Sequence, residues 1–446
     1  MISLYTLQMR LLRCSHIVRI AARRKKLSVS YCNRAMIISC NLLLRRLLAT
    51  APLFASLLAL TVYAAPFVPP SDLTPLERLA TKPGKPGEES AADRSARAMR
   101  AALKLDPKNA DLAARIAQVY VSRARTESEP RYLGQAQSAL AAWWPQEAPP
   151  MPILLLRATI RQSTHDFANA RRDLEQAVKR EPGNAQAWLT MATVLQVTGD
   201  LKGATESCRR VVPITPALIG ATCMASIDGA EGRAAQAFDA LNAALLTSAA
   251  RGRDSVGVRT WALTLQAEIA ERLNRPIDAE RLYKESLVLD PADAYAMAAY
   301  ADFLLDAGRP NDVLALISAT ARAEVLLLRR ALAAKLAGSN DAAAVAKDLG
   351  ERFAASKARG DRVHLREEAR YALAIKSDPG GALALARDNW QVQKEPLDAR
   401  IVLEAAVAAG QPKAATDVLS WLDVTRLQGE KLAQLAAQLK PQLKAQ

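Results

Sequence analysis

The sequence repeats itself with a period of 34 residues, starting from Met151 and again from Ala185. Small residues, larger apolar residues and a proline recur at matching positions of the two segments. The matching pairs are Ala170 and Ala204, Leu174 and Cys208, Ala177 and Val211, and Pro182 and Pro216. A period of this length is typical of two antiparallel helices joined by a tight turn, and one such unit cannot bury its apolar face alone. The period therefore predicts a stack of helix pairs that folds as one elongated array.

Two further copies of the pattern follow between residues 260 and 308. Their small, aromatic and turn positions are occupied by Ala267, Ala279, Tyr283, Ser286 and Pro291, and then by Tyr300, Ala301, Leu304 and Gly308. Proline ends the second helix of several pairs, because it lacks an amide hydrogen and clashes with the preceding turn. No strand-like alternation appears after residue 88, so the sequence predicts an all-α fold.

These positions resemble the signature of the tetratricopeptide repeat (TPR) family, and the resemblance covers residues 89–427. It implies a right-handed superhelix, or α-solenoid, of about nine antiparallel helix pairs, with the first helices lining the concave side. Insertions interrupt the period at residues 126–133 and 249–258. The pattern is weaker after Glu324, so the repeat boundaries stay open there. Residues 428–446 are predicted to form a capping helix and tail, since a terminal repeat must shield an apolar face.

Residues 1–64 have the three parts of an export signal. Arg45 and Arg46 form its positive end, an uncharged apolar run occupies residues 47–62, and a cleavage site follows Ala64. We therefore expect an exported protein that is periplasmic or secreted.

Alternatives to this interpretation of the leader stay open. Residues 1–35 are long and basic for such a signal, so Met36 is an alternative start and residues 1–35 would then be a start-site artefact. The apolar run could remain uncleaved as a membrane anchor facing the periplasm, although it is slightly short for a bilayer span. An Arg-rich leader without acidic residues also suits a mitochondrial presequence. Residues 65–88, rich in Pro, Gly and Lys, are predicted to form a flexible linker.

The formal charge of +15 lies mostly in the leader. Residues 1–64 contain ten Lys or Arg and no Asp or Glu, which leaves a net charge of +5 for the rest of the chain. A nucleic-acid interface needs Lys and Arg clustered on one face, and no such cluster follows residue 64. The sequence therefore predicts no nucleic-acid partner.

Histidines are scarce after the leader, where only His165 and His364 occur. Neither has a Cys or a second His nearby in the sequence, and motifs for zinc hydrolases, serine hydrolases and phosphate-binding loops are missing. A lone histidine lacks the partners that general base catalysis or metal binding requires. We expect no catalytic residue, no cofactor and no metal, and hence no enzymatic activity.

The TPR resemblance also implies which side chains of the first helices face the concave groove. In the early repeats these are neutral hydrogen-bonding residues, which suit a peptide backbone or a polar ligand. They are Gln118, Ser122, Thr159, Gln162, Ser163, Thr193 and Gln196. From residue 261 to residue 306 they are acidic or aromatic, namely Trp261, Glu268, Glu271, Tyr295, Asp302 and Asp306. That composition favours a basic or apolar peptide, although ordinary solvated helix residues would have the same composition.

Cys208 and Cys223 are the two cysteines that follow the leader. In an exported protein such a pair is compatible with a disulfide, which in a TPR stack would join two neighbouring repeats. Two buried thiols are the alternative.

The sequence thus predicts a non-catalytic scaffold of the cell envelope or periplasm that holds proteins or peptides in its concave groove. The alternative is a module whose groove binds a small molecule or a polysaccharide. The sequence does not identify the partner, and it predicts membrane association only through an uncleaved leader.

Overall fold

The computed structural model describes residues 91–252 and 254–444, and all regular structure within them is helical. The first helices of the pairs are α2 (Ala110–Thr126), α4 (Met151–Ser163), α6 (Ala185–Val197), α8 (Ala217–Ala230), α10 (Val256–Arg272), α12 (Ala294–Asp306), α14 (Glu324–Ala337), α16 (Leu365–Ala374) and α18 (Pro396–Ala408). The second helices are α1 (Ala91–Leu105), α3 (Arg131–Ala139), α5 (Phe167–Arg180), α7 (Leu201–Val211), α9 (Ala234–Arg251), α11 (Pro276–Leu289), α13 (Pro310–Leu316), α15 (Ala342–Arg359), α17 (Pro379–Val392) and α19 (Thr416–Thr425), followed by α20 (Glu430–Lys444). The predicted all-α solenoid of antiparallel helix pairs is confirmed.

Polar side chains fix where several helices begin. Asn109 accepts a hydrogen bond from the backbone N–H of Leu112 at 3.0 Å, and Asn184 accepts one from that of Ala187 at 3.0 Å. These N-terminal amides have no partner within their own helix, so the caps stabilise α2 and α6.

The turns inside several helix pairs contain a residue with positive φ. Gly199 adopts φ = +89° and Gly308 adopts φ = +69°, a left-handed conformation that costs glycine little. Asn274 adopts φ = +55° in the equivalent turn between α10 and α11, and asparagine is one of the few other residues that tolerate it. Each turn brings the second helix back against the first, so that Ala192 and Ala204 are buried where α6 and α7 pack together.

A disulfide joins α7 to α8. The Sγ atoms of Cys208 and Cys223 are 1.99 Å apart, and both residues are buried. The pairing that the sequence left open is therefore a bond between consecutive repeats. A closed loop of this length stabilises the fold by about 3 kcal/mol, mainly by restricting the unfolded chain.

The C-terminal end of the stack is covered by α20. Leu432, Leu435 and Leu439 lie on one face of this helix and are buried in the cluster around α18. In the part of the chain that the structure describes, no helix combines the length and the apolar content that a membrane span needs. The predicted leader and linker lie outside the described residues.

The expectation of an elongated array, in which repeats contact only their neighbours, needs correction at the C-terminal end. Residues 365–444, called the C-terminal repeats below, return to residues 151–306, called the middle repeats. The backbone N–H of Lys394 donates to the carbonyl oxygen of Val197 at 2.7 Å. The Oε1 atom of Gln428 accepts from the N–H of Ala234 at 3.1 Å. The superhelical path therefore brings the C-terminal repeats into contact with the middle repeats.

Candidate protein-interaction surfaces

Asp302 lies in the middle of α12, on the face predicted to line the groove, but it is only 8% exposed. Arg329 donates to its carboxylate from α14 at 2.7 Å, and Arg370 donates from α16 at 2.9 Å. Burial by itself would raise the pKa of Asp302, but the two guanidinium groups outweigh burial and hold the pKa well below its usual range. The negative charge of Asp302 is therefore neutralised within the chain.

Asp306 is paired in the same way one turn further along α12. Arg400, at the start of α18, donates to Oδ1 of Asp306 at 2.6 Å. The interpretation of Asp302 and Asp306 as an open acidic wall for a basic peptide is thus corrected. The physical reason is the return of the C-terminal repeats, whose arginines already occupy both carboxylates.

Two glutamates of α10 accept hydrogen bonds from tyrosines and have raised pKa values. Tyr295 donates its hydroxyl to Oε1 of Glu268 at 2.7 Å, and Tyr283 donates its hydroxyl to Glu271. Burial raises the pKa of Glu268, and it raises the pKa of Glu271 to about 8 against the opposing Tyr283 hydrogen bond. Glu271 is therefore mostly protonated at neutral pH.

Two aromatic side chains remain accessible on this inner face. Trp261 is 39% exposed and Tyr295 is 64% exposed. Trp261 lies two turns before Glu268 on α10, and Tyr295 lies two turns before Asp302 on α12, so each pair shares a helix face. Because α10 and α12 pack against each other, the two rings lie on adjacent helices. We call Trp261 and Tyr295 the aromatic edge.

The neutral polar residues predicted in the early repeats differ in accessibility. Gln118, Ser122 and Thr193 are exposed, and the Gln118 amide donates to the Ser122 hydroxyl at 3.4 Å. The partly buried members of the set are Thr159, Gln162, Ser163 and Gln196. Gln196 accepts a hydrogen bond from Ser226 at 3.3 Å, within the stack.

The two histidines that follow the leader are brought together by the return of the C-terminal repeats, which the sequence did not show. Burial, aided by the positive charge of Arg366, lowers the pKa of His165 to about 4, and the charge of His364 acts on it in the same direction. His364 lies with Nδ1 3.5 Å from Oε2 of Glu324. Within residues 91–252 and 254–444, no cluster of three His, Cys, Asp or Glu side chains is arranged to hold a metal ion.

A second surface, formed by two second helices and the first helix between them, was missed by the sequence analysis. It is a groove of about 820 Å³ between α9, α10 and α11, here called the outer groove. Leu246, Ile277 and Val288 line it and are 65%, 86% and 80% exposed. The one signal in the sequence was the insertion at residues 249–258, which lies at the end of α9.

Comparisons with known proteins agree with the repeat fold. A family model described as tetratricopeptide repeat matches residues 163–217. Among solved structures, the chain is similar to PilW, a widely conserved type IV pilus biogenesis factor, at 17% identity and a TM-score of 0.31, covering 64% of this chain and 97% of PilW. It is similar to yeast Tom70 at 13% identity and a TM-score of 0.36, covering 79% and 86% of the two chains. A tetratricopeptide repeat protein from Parabacteroides merdae has 10% identity and a TM-score of 0.33, with 65% and 98% covered.

No curated protein matches the sequence. At such low identities and TM-scores, the solved structures do not indicate what this chain binds.

Proposed function

Since the chain is a tetratricopeptide-repeat protein, we propose that it is an exported scaffold that holds protein or peptide partners on its inner face without catalysing a reaction. Stacked helix pairs offer an extended surface rather than a closed reaction centre. The inner face here combines an aromatic edge with exposed hydrogen-bonding side chains, and its carboxylates are largely neutralised. That combination suits a peptide with apolar side chains and a free backbone.

The observation that carries this proposal is the exposure of the aromatic edge. The Tyr295 ring is 64% exposed, yet its hydroxyl is fixed by the hydrogen bond to Glu268 at 2.7 Å. When a partner covers this ring, the Tyr295 side chain loses little conformational freedom because it is already held in place. Aromatic residues also contribute most strongly to protein interfaces. Trp261 on the adjacent helix adds a second large apolar surface.

Export is supported by the disulfide between Cys208 and Cys223. Disulfides persist in oxidising compartments and are rare in the cytosol, where thiols are kept reduced. Together with the leader, this pairing favours a periplasmic or secreted protein.

The inner-face proposal is tested with the double variant Trp261→Ala and Tyr295→Ala. Peptides from an envelope extract are photo-cross-linked to the purified protein and quantified by mass spectrometry. We expect the yield of inner-face cross-links to fall at least about tenfold, since two aromatic contacts contribute more than about 1.4 kcal/mol. The matched control is the double variant Ile277→Ala and Val288→Ala on the outer face, which should leave that yield unchanged.

Equal yields from wild type and the aromatic-edge variant would contradict the proposal. Binding of a small molecule or a polysaccharide at the aromatic edge, with no peptide captured there, would favour the alternative ligand-binding module.

Export is tested separately by cell fractionation with N-terminal sequencing and thiol titration. We expect an envelope or secreted protein that begins at Ala65 and has no free thiol. A cytosolic protein in which Cys208 and Cys223 are free thiols would contradict it.

A further inference from the structure

The outer groove exists because α9 is longer than the other second helices around it. α9 has 18 residues, whereas α7 has 11 and α11 has 14. Leu245, Leu246 and Ala249, in the C-terminal half of α9, form one wall of the groove. The volume of about 820 Å³ is in the range of sites that enclose several side chains or a small ligand.

The walls of the outer groove are apolar and open to solvent. Leu246 contributes from α9, and Ile277 and Val288 contribute from α11. Single exposed apolar residues are common on protein surfaces, but several that line one concavity mark a site of interaction.

The floor of the groove contains a polar atom without a partner. Gln266 lines the groove from α10 and is only 1% exposed. Its Nε2 donates to the carbonyl oxygen of Phe238 at 3.3 Å, which fixes the orientation of the amide. Its Oε1 has no hydrogen-bond partner among the described residues. A buried acceptor left unpaired is unfavourable, so an arriving hydrogen-bond donor would be favoured at this position.

Not every charged side chain that lines the groove is paired with a described residue. Glu280 is paired with Lys284 at 2.8 Å, and Glu285 is paired with Arg281 at 2.8 Å. Arg259 lines the same groove, and its side chain has no ion pair or hydrogen bond with a described residue. The groove therefore presents one uncompensated positive charge, which is complementary to a carboxylate.

We propose that the outer groove docks a segment of another protein that carries a tryptophan or tyrosine next to an acidic residue. The ring fills the space between Leu246 and Val288, and its N–H or O–H donates to Oε1 of Gln266. The neighbouring carboxylate pairs with Arg259. This site lies between α9, α10 and α11 and does not include Trp261 or Tyr295 of the aromatic edge, so a scaffold with both surfaces could hold two partners at once.

The test uses fluorescence anisotropy with the full chain and a labelled peptide, Gly-Ser-Asp-Trp-Leu-Gly-Ser. Two matched peptides replace the tryptophan by leucine or the aspartate by lysine. We expect Gln266→Leu to weaken binding of the tryptophan peptide about tenfold and to leave binding of the leucine peptide unchanged. Arg259→Gln should remove the preference for aspartate over lysine.

Folding is controlled within the same experiment. Gln266→Leu removes an unpaired buried oxygen but also the donor to the Phe238 carbonyl oxygen. These two changes oppose each other, so its urea unfolding midpoint should stay close to that of wild type. Val288→Glu should abolish binding, and Val424→Glu, at an exposed apolar position outside the groove, should not change it.

Equal affinity of wild type and Gln266→Leu for the tryptophan peptide would overturn the proposal. So would a dimer in sedimentation analysis that Val288→Glu dissociates, because the occupant would then be a second copy of this chain. Neither result would bear on the inner face, which the aromatic-edge variant tests independently.

Discussion

The middle repeats and the C-terminal repeats use the same kind of ion pair over very different distances along the chain. In the middle repeats, Arg157 of α4 donates to Asp173 of α5 at 2.7 Å, inside one helix pair. The same guanidinium donates to the carbonyl oxygens of Trp143, Trp144 and Gln146 at 3.1, 2.9 and 2.7 Å. This local network ties the segment that follows α3 to the next helix pair.

In the C-terminal repeats the partners are far apart in the sequence. Arg370 reaches Asp302 across 68 residues, and Arg400 reaches Asp306 across 94 residues. A local pair forms wherever its helix pair forms, whereas a distant pair needs the correct path of every repeat in between. The stability of the array therefore has two layers. The local layer comes from contacts within a repeat or between consecutive repeats, and the closing layer comes from contacts between the C-terminal repeats and the middle repeats.

The largest expected effect is on the local layer, with Arg157→Ala. Asp173 would remain buried with only Arg161 as a partner, and three carbonyl oxygens would lose their donor. We expect the free energy of unfolding in urea to fall by about 4 kcal/mol. Arg171→Ala, which removes an exposed pair with Glu175, is the matched control and should change it by less than about 0.5 kcal/mol. Equal losses for the two variants would show that the buried network is not a main source of stability.

The disulfide also belongs to the local layer. Replacing Cys208 and Cys223 together by alanine should lower the free energy of unfolding by about 3 kcal/mol, because the unfolded chain gains freedom. Urea unfolding of wild type with and without a reductant provides the same comparison without a mutation. If neither the reductant nor the substitution shifts the unfolding transition, the disulfide does not stabilise the fold.

The closing layer is weakened by Arg370→Gln. Asp302 keeps Arg329, so we expect a loss of about 2 kcal/mol, typical of one charged hydrogen-bonded contact. Hydrogen–deuterium exchange should rise in residues 365–444 and stay unchanged in residues 151–216. Lys440→Gln, which removes an exposed pair with Asp423, should alter neither region. A uniform rise across both regions would contradict the separation of the two layers.

The smallest effect is on pH dependence through Glu271. Its pKa is raised from 4.5 to about 8 in the folded protein, so the folded state binds more protons than the unfolded state between these values. The stability that this proton contributes is fully present below pH 4.5 and is lost as the pH rises through about 8. Between pH 7 and 9 we expect wild type to lose roughly 1 kcal/mol of unfolding free energy relative to Glu271→Gln. Parallel pH profiles for the two proteins would contradict the raised pKa.

The sequence predicted the local layer well, for a physical reason. Small residues recur at positions such as Ala170 and Ala204 because the two helices of every pair pack against each other in the same way. Closure could not be predicted, since no local pattern relates Arg370 to Asp302. The predicted inner-face residues therefore do lie on first helices. Their carboxylates were expected to bind a ligand, whereas two of them pair with arginines of the chain itself. The sequence shows the insertion at residues 249–258 but does not show that α9 is extended beside it. For this reason the outer groove was missed.

The most direct test of closure is the exchange rate of one backbone amide, that of Lys394. This residue lies in the loop between α17 and α18, and its N–H donates to the Val197 carbonyl oxygen at 2.7 Å. In an open array the amide would face water and exchange as fast as other loop amides. Hydrogen–deuterium exchange of the full chain should instead show slow exchange at Lys394 in wild type, fast exchange in Arg400→Asp, and restored protection when Asp306→Arg is added. Fast exchange at Lys394 in wild type would contradict the return of the C-terminal repeats to the middle repeats.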